Sequence, residues 1–386
     1  MSSTSKASQR INALLDDNSF VEIGALVTAR ATDFDLKQTE TPSDGVITGY
    51  GVIGGNLVYV YSQDASVLNG TVGEMHARKI ANLYDLAMKT GAPVIGLLDS
   101  AGLRLQESTD ALDAFGTIYR KMTDASGVIP QISAVFGNCG GGLAIMAAMS
   151  DFTFMEAKNG KLFVNSPNAL AGNTTAKCDT SSAAFQSASA GNVDFTGDEA
   201  EVLAGIRKLV SILPANNEEN LAFDECTDDL NRLTAELAGC KGDTAVALAV
   251  LADNNDFVEV KADYAKDMVT GFIRLDGVTI GAVANRCEKL DEEGNPVVDD
   301  AGESITINTT PYVNGVQIDP IVKVPWNTEA IPVAALKASL EANGYYGYTV
   351  SVGVSDASRK TFLTFSEVTS AITEEVVAYV VTGNAA

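Results

Sequence analysis

A chain of 386 residues with 46% apolar and 20% charged side chains can bury more than one core. Fifty acidic against 26 basic residues give a formal charge of -24, which argues against a nucleic-acid partner. The single histidine, His76, and five scattered cysteines without a CxxC pair exclude an imidazole-built metal site and give no zinc or redox motif. The opening MSSTSKASQRINALLDDNSF lacks an apolar signal core, and no stretch reaches the roughly 20 apolar residues of a membrane span, so a cytoplasmic location is expected.

In chain order, Ser8 to Leu15 predicts a short helix, and Ser19 to Gly24 and Gly45 to Tyr61 predict strands rich in β-branched and aromatic residues, with a polar loop from Arg30 to Ser43 between them. Residues 73 to 90 carry apolar side chains at helical spacing and lead into a buried strand, Ala92 to Leu98, that ends at Asp99-Ser100. The order recurs with a helix from Thr109 to Ala125, a strand from Gln131 to Phe136, a glycine turn from Gly137 to Gly142, a small-residue helix and a strand from Phe152 to Glu156. This is a layered α/β pattern.

A helix from Asp198 to Ile212 precedes a polar linker at 214 to 228, which places a domain boundary near residue 220. Beyond it Asn255-Asp256-Phe257-Val258-Glu259-Val260 repeats Asn18-Ser19-Phe20-Val21-Glu22-Ile23, and Thr270-Gly271-Phe272 repeats Thr48-Gly49-Tyr50. The second copy breaks off after Asn285. The remainder reads as strands at Ile305 to Thr309 and Val313 to Val324, a helix from Thr328 to Asn343, and strands at Tyr348 to Val354 and Thr361 to Phe365. Three parts are expected: residues 1-220, an incomplete second repeat at 229-295, and a divergent small α/β segment at 297-386.

Two glycine-bearing turns, Asp99 to Arg104 and Gly137 to Gly142, each follow a buried strand and precede a helix. That placement aims backbone N–H groups outward, and such donors can stabilise the oxyanion of a thioester enolate without an ionisable side chain. Turns of this kind also close the strands of any α/β fold, so spacing alone leaves both readings open. His76 on its helix reads as a structural histidine.

Asp44-Gly45-Val46-Ile47-Thr48-Gly49, Tyr61-Ser62-Gln63-Asp64, Gly73-Glu74-Met75-His76-Ala77, DSAGLRLQE, Gly127-Val128-Ile129-Pro130-Gln131-Ile132 and GNCGGG follow one another in the chain. In that order they resemble the acyl-CoA carboxyltransferase family, which includes carboxylase β subunits and the carboxyltransferase subunits of glutaconyl-CoA and methylmalonyl-CoA decarboxylases. The resemblance covers residues 8 to 295. It implies a crotonase-like ββα spiral for the first domain, an incomplete crotonase-like second repeat, acyl-CoA as substrate, biotin on a separate carrier protein, and a homo-oligomer whose site is completed by a neighbour.

By the same resemblance Gly141 and Gly142 fall on the glycines whose amides line the acyl oxyanion hole, with Gly102 and Leu103 in the opposing turn. Gly140 and Ala101 flank them at the coenzyme A site, and Arg78, Lys79, Arg104 and Lys121 are candidates for its phosphates. The family has glycine and alanine where this chain has Ala101 and Leu103. No counterpart of the family's second glycine-rich turn follows Asn285. The function expected is carboxyl transfer between biotin and an acyl-CoA. The alternatives are a biotin-independent acyl-CoA decarboxylase or hydrolase, and a non-catalytic recombined chain whose C-terminal segment serves assembly.

Overall fold

The computed structural model describes residues 5–31, 40–219, 225–229, 231–234, 237, 240 and 243–286, with short strands at 312–313, 316–317, 349–355, 360–366 and 380–382. They fall into two compact units, Met1–Ile305 and Thr306–Ala386. The boundary expected near residue 220 lies inside the first unit.

The first unit begins with α1 (Lys6–Leu14), capped by the Ser5 side chain, and β1 (Val21–Ile23). The long predicted strand is a hairpin, β2 (Val46–Ile53) and β3 (Asn56–Gln63), because Gly54 and Gly55 both take positive φ and turn the chain in two residues. Crossover helices α2 (Glu74–Thr90) and α3 (Ser108–Ala125) then link β3 to the parallel strands β4 (Val94–Ser100) and β5 (Gln131–Gly140). Helix α4 (Gly142–Met149) leads to β6 (Phe152–Glu156), and β7 (Lys161–Phe163), β8 (Phe195–Gly197) and α5 (Glu199–Ile212) follow.

The sheet runs β1-β2-β3-β4-β5-β6-β8, antiparallel at its start and parallel from β3 onward, with β7 paired to the far end of β5. That pairing explains why β5 continues to Gly140, past the predicted end at Phe136: Asn138, Cys139 and Gly140 acquire partners in Lys161, Leu162 and Phe163. Alternation along the strands divides the core in two. Tyr59, Tyr61, Val94 and Leu98 face α2, α3 and α4 in one cluster, whereas Val58, Val60, Ile95 and Leu97 face α1 and α5 in the other.

A second, smaller sheet in the same unit has β9 (Val258–Val260), β10 (Met268–Leu275) and β11 (Val278–Asn285), accompanied by α6 (Thr244–Leu251). Its ladder reproduces the first: Glu22↔Gly49 and Gly49↔Val60 correspond to Glu259↔Gly271 and Gly271↔Ala282. The repeat read from sequence is therefore a repeat of register.

The second unit contains a two-stranded pair, β12 (Tyr312–Val313) with β13 (Val316–Gln317), and a meander of β14 (Thr349–Ser355), β15 (Lys360–Ser366) and β16 (Val380–Thr382), all antiparallel. Strands β14 and β15 correspond to the predicted Tyr348–Val354 and Thr361–Phe365. The predicted strand at 305–309 and helix at 328–343 lie outside the described residues.

Candidate functional site

The two glycine turns sit side by side at the carboxyl ends of adjacent parallel strands, where open α/β sheets place their ligands. Ser100 pairs with Cys139 in the ladder, and a Cβ placed on Gly102 would lie 3.4 Å from the Gly140 carbonyl oxygen. Their contact is locked from behind. The Asp99 carboxylate covers Gly137 so closely that a Cβ there would lie 2.0 Å from Oδ1. Arg10 of α1 holds that carboxylate at 3.0 Å and lies over the Phe136 ring at 4.5 Å from its centroid.

Within the first turn most amides are committed internally. Ala101 N–H donates to Asn69 carbonyl at 3.0 Å, Gly102 N–H to Ser100 Oγ at 3.1 Å, and Arg104 N–H to Val72 carbonyl at 3.0 Å. Leu103 bridges Val72 in parallel fashion, which turns its own N–H away from Val72. In the second turn Gly141 N–H donates to Phe163 carbonyl at 2.9 Å. The Gly142 amide opens helix α4, where the first N–H groups have no acceptor within the helix. Of the four oxyanion candidates, the amides of Gly141 and Gly102 thus shape their turns, while the amides of Gly142 and Leu103 have no acceptor among the described residues.

Gly141 takes φ +61 with ψ -123, and a Cβ on it would meet nothing within 4 Å, so the space over the turn is open. Tyr119 supports the next peptide, its hydroxyl donating to Gly142 carbonyl at 2.7 Å, and leaves no room for a side chain on Gly142. Cys139 between the turns is fully buried, and burial pushes its thiol above the ordinary range, so it stays an unreactive thiol.

Behind the turns four of the sequence segments, those around Asp44, Gln63, His76 and Asp99–Glu107, converge on one buried polar cluster. Ser43 and Asp44 have positive φ and Gly45 continues at +69, a bend that directs the Asp44 side chain inward. Asp44 accepts from Arg104 Nη1 at 2.6 Å and from His76 N–H at 2.7 Å. Arg104 also reaches Glu107 at 2.9 Å and Thr71 carbonyl at 2.6 Å, and Glu107 accepts from Glu74 N–H at 2.6 Å. Burial pushes the Asp44 carboxyl up, against the pull of Arg104.

His76, with no exposed surface, is fixed as a neutral tautomer by a consistent relay. Asp99 N–H donates to Gln63 Oε1 at 3.2 Å and Gln63 Nε2 donates to His76 Nε2 at 3.2 Å, leaving His76 Nδ1–H to donate to Asp44 carbonyl at 3.0 Å. Desolvation pulls its pKa down to about 3, helped by nearby Arg104. The structural role read for His76 fits this geometry.

The basic candidates for the coenzyme A phosphates require correction. Arg104, 3% exposed, is enclosed by Asp44 and Glu107, and Lys79 is buried with its ammonium donating to Ser43 and Val46 carbonyls. Burial lowers Lys79 to about 8. Sequence spacing carried no sign of this inward turn, because both lie among ordinary helix-face and loop residues. Lys121 is paired with Asp85 at 2.5 Å, whereas Arg78 is 66% exposed and held only by a surface pair to Glu74 at 2.6 Å. Among the described residues no cluster of His, Cys, Asp and Glu could hold a metal ion, and no helix is long and apolar enough to cross a membrane.

Residues 4–310 match the carboxyl transferase domain. The chain belongs to that family. It is 39% identical over 302 residues to the propionyl-CoA carboxylase beta chain of Roseobacter denitrificans, covering 72% of this chain and 57% of that one. It is 38% identical over 291 residues to the methylmalonyl-CoA decarboxylase subunit alpha of Veillonella parvula, with the same coverage of each. Among solved structures it resembles the transcarboxylase 12S hexamer determined with hydrolysed methylmalonyl-coenzyme A bound, at TM-score 0.69 and 36% identity over 72% of this chain and 56% of that one. The fold is accordingly the crotonase-like α/β fold of the carboxyltransferases. The chain spans little more than half the length of these curated relatives.

Proposed function

We propose that the chain supplies the acyl-CoA half of a carboxyltransferase that moves a carboxyl group between biotin and an acyl-CoA thioester. The observation that carries the reading is the juxtaposition of the two glycine turns, with the Gly142 and Leu103 amides left without an acceptor among the described residues and open space over Gly141. Two preorganised N–H donors suit the thioester oxygen as it gains charge in the enolate. Exposed apolar side chains beside the turns, Leu105, Ile145 and Val164, the last next to Phe163 whose carbonyl accepts from Gly141, suit an acyl chain or a partner's surface. Gly140 and Ala101 flank the thioester position, and Arg78 is the candidate cation that reaches solvent for the coenzyme A phosphates.

Biotin when bound carries the carboxyl group as a carbamate. This chain's residues bind and orient the acyl-CoA, and the biotin enters on a separate carrier protein. A homo-oligomer working in the cytoplasm belongs to the same proposal, as does the division into residues 1-220, 229-295 and 297-386.

A second reading is favoured by the half-built second repeat: the chain binds acyl-CoA and transfers nothing by itself. The test is calorimetric binding of methylmalonyl-CoA together with carboxyl exchange between free biotin and malonyl-, methylmalonyl- or glutaconyl-CoA, using Gly142→Val as the site variant. Binding and exchange that both fall at least tenfold in the variant support carboxyl transfer. Binding without exchange supports the second reading, and absence of binding refutes both.

A further inference from the structure

Among the described residues, the second repeat copies the strands of the first without their cover. In the first, β3 is continued by parallel β4, which pairs with Tyr59 to Ser62, and every residue from Val58 to Gln63 is buried. The register Thr48↔Tyr61 and Thr270↔Val283 equates β11 with β3 residue by residue. Yet Val283 is 72% exposed where Tyr61 is 1%, and Ile280 is 40% exposed where Val58 is 0%. Among the described residues β11 pairs only with β10, so its outer edge presents unpaired N–H and C=O groups flanked by apolar side chains.

The helix layer shows the same gap. Helix α1 buries five residues beneath the sheet and α5, including Leu14 at 0%. Its counterpart α6 is TAVALAVL, apolar all round, yet none of its residues is buried, and Leu251, which matches Leu14, is 44% exposed. An apolar helix of this kind ordinarily lies inside a protein.

We infer that β11 and α6 form the docking surface for a second polypeptide that completes the repeat, adding an apolar strand parallel to β11 as β4 adds to β3 and a helix over α6 as α5 lies over α1. Three observations choose this occupant. The described strands of Thr306–Ala386 pair antiparallel with one another and offer no parallel βαβ element. A second copy cannot supply the counterpart of β4 parallel to β11, since its own β4 is already paired on both sides by β3 and β5. The curated relatives extend well beyond the part this chain matches. Uncharged α6 and β11 call for a partner face of aliphatic side chains, with main-chain hydrogen bonds setting the register.

The probe is the part of Veillonella parvula methylmalonyl-CoA decarboxylase subunit alpha that lies beyond its match, co-expressed with the full chain. Expected are a 1:1 complex, amides 281 to 284 that exchange quickly in the chain alone and at least tenfold more slowly in the complex, and at least tenfold weaker binding by Val283→Asp. Leu26→Asp, at a side chain 96% exposed in the first repeat, should bind as wild type, with circular dichroism reporting the fold of both variants. No complex, or a complex indifferent to Val283→Asp, overturns the proposal. Protection of 281 to 284 in the chain alone also overturns it, assigning the cover to this chain when independent of concentration and to a second copy when it rises with concentration. Binding and exchange are read without turnover, so failure here is distinct from failure of the carboxyl-transfer reading.

Discussion

Lowering the pH from 7 to 5 should destabilise the first unit through one residue. His76 is the chain's only histidine, and the relay from Asp99 through Gln63 to the Asp44 carbonyl requires its neutral form. Its folded pKa of about 3 lies below the unfolded value of 6.5, so between those values the unfolded chain binds the extra proton. Stability from this group is therefore present at pH 7 and is lost as the pH falls from 6.5 toward 3. Linkage with these two values gives a loss of about 2 kcal/mol at pH 5 relative to pH 7. Urea unfolding followed by hydrogen exchange of peptides from α2 reads the first unit alone. His76→Gln should be less stable at pH 7, yet its stability should change by about 2 kcal/mol less between the two pH values. Equal pH dependence in wild type and variant would refute the buried neutral histidine.

Arg104→Met leaves Asp44 and Glu107 buried without their cation and should cost about 3 to 5 kcal/mol in urea unfolding. Gly137→Ala, whose Cβ would press on the Asp99 carboxylate, should lose roughly 1 to 3 kcal/mol. Gly116→Ala on α3, where a Cβ meets nothing, should gain about 0.5 to 1 kcal/mol in the same assay. Lys79, lowered to about 8 from 10.5, charges more readily in the unfolded chain, so its penalty is full below pH 8 and fades as the pH rises toward 10.5. From pH 8 to 9.5 wild type should gain about 1.5 kcal/mol relative to Lys79→Met, measured by chemical denaturation at both pH values.

The strands and helices of the first repeat were legible because apolar periodicity and glycine punctuation act locally. The hairpin at Gly54-Gly55 and the short β7 were less so. Three residues such as Lys161–Phe163 carry no period of their own and become a strand only because β5 offers them an edge. The glycine turns were legible as a placement, but which amides stay outward was not. Gly141 loses its donor to Phe163 and Gly102 to Ser100 through contacts fixed by tertiary folding. Arg104 and Lys79 were misread for the same reason: a cation in sequence says nothing of whether it faces water or a buried carboxylate. Four of the six segments meet in a polar cluster that holds the turns from behind, so much of their pattern describes support for the site rather than the groups that touch substrate.

That division of labour bears on activity. The first repeat holds both glycine turns on complete strands, whereas the described part of the second ends at Arg286, before any counterpart of β4 or its turn. On the second reading, acyl-CoA binding belongs to the chain alone, while carboxyl exchange with biotin requires whatever completes the second repeat. Titrating methylmalonyl-CoA by calorimetry with and without the docked polypeptide separates the two. Affinity unchanged by docking, with exchange appearing only in the complex, is the expected result. Acyl-CoA affinity that itself depends on docking would mean that the first-repeat turns are not a self-sufficient half-site, and exchange by the chain alone would mean that biotin needs no second glycine turn.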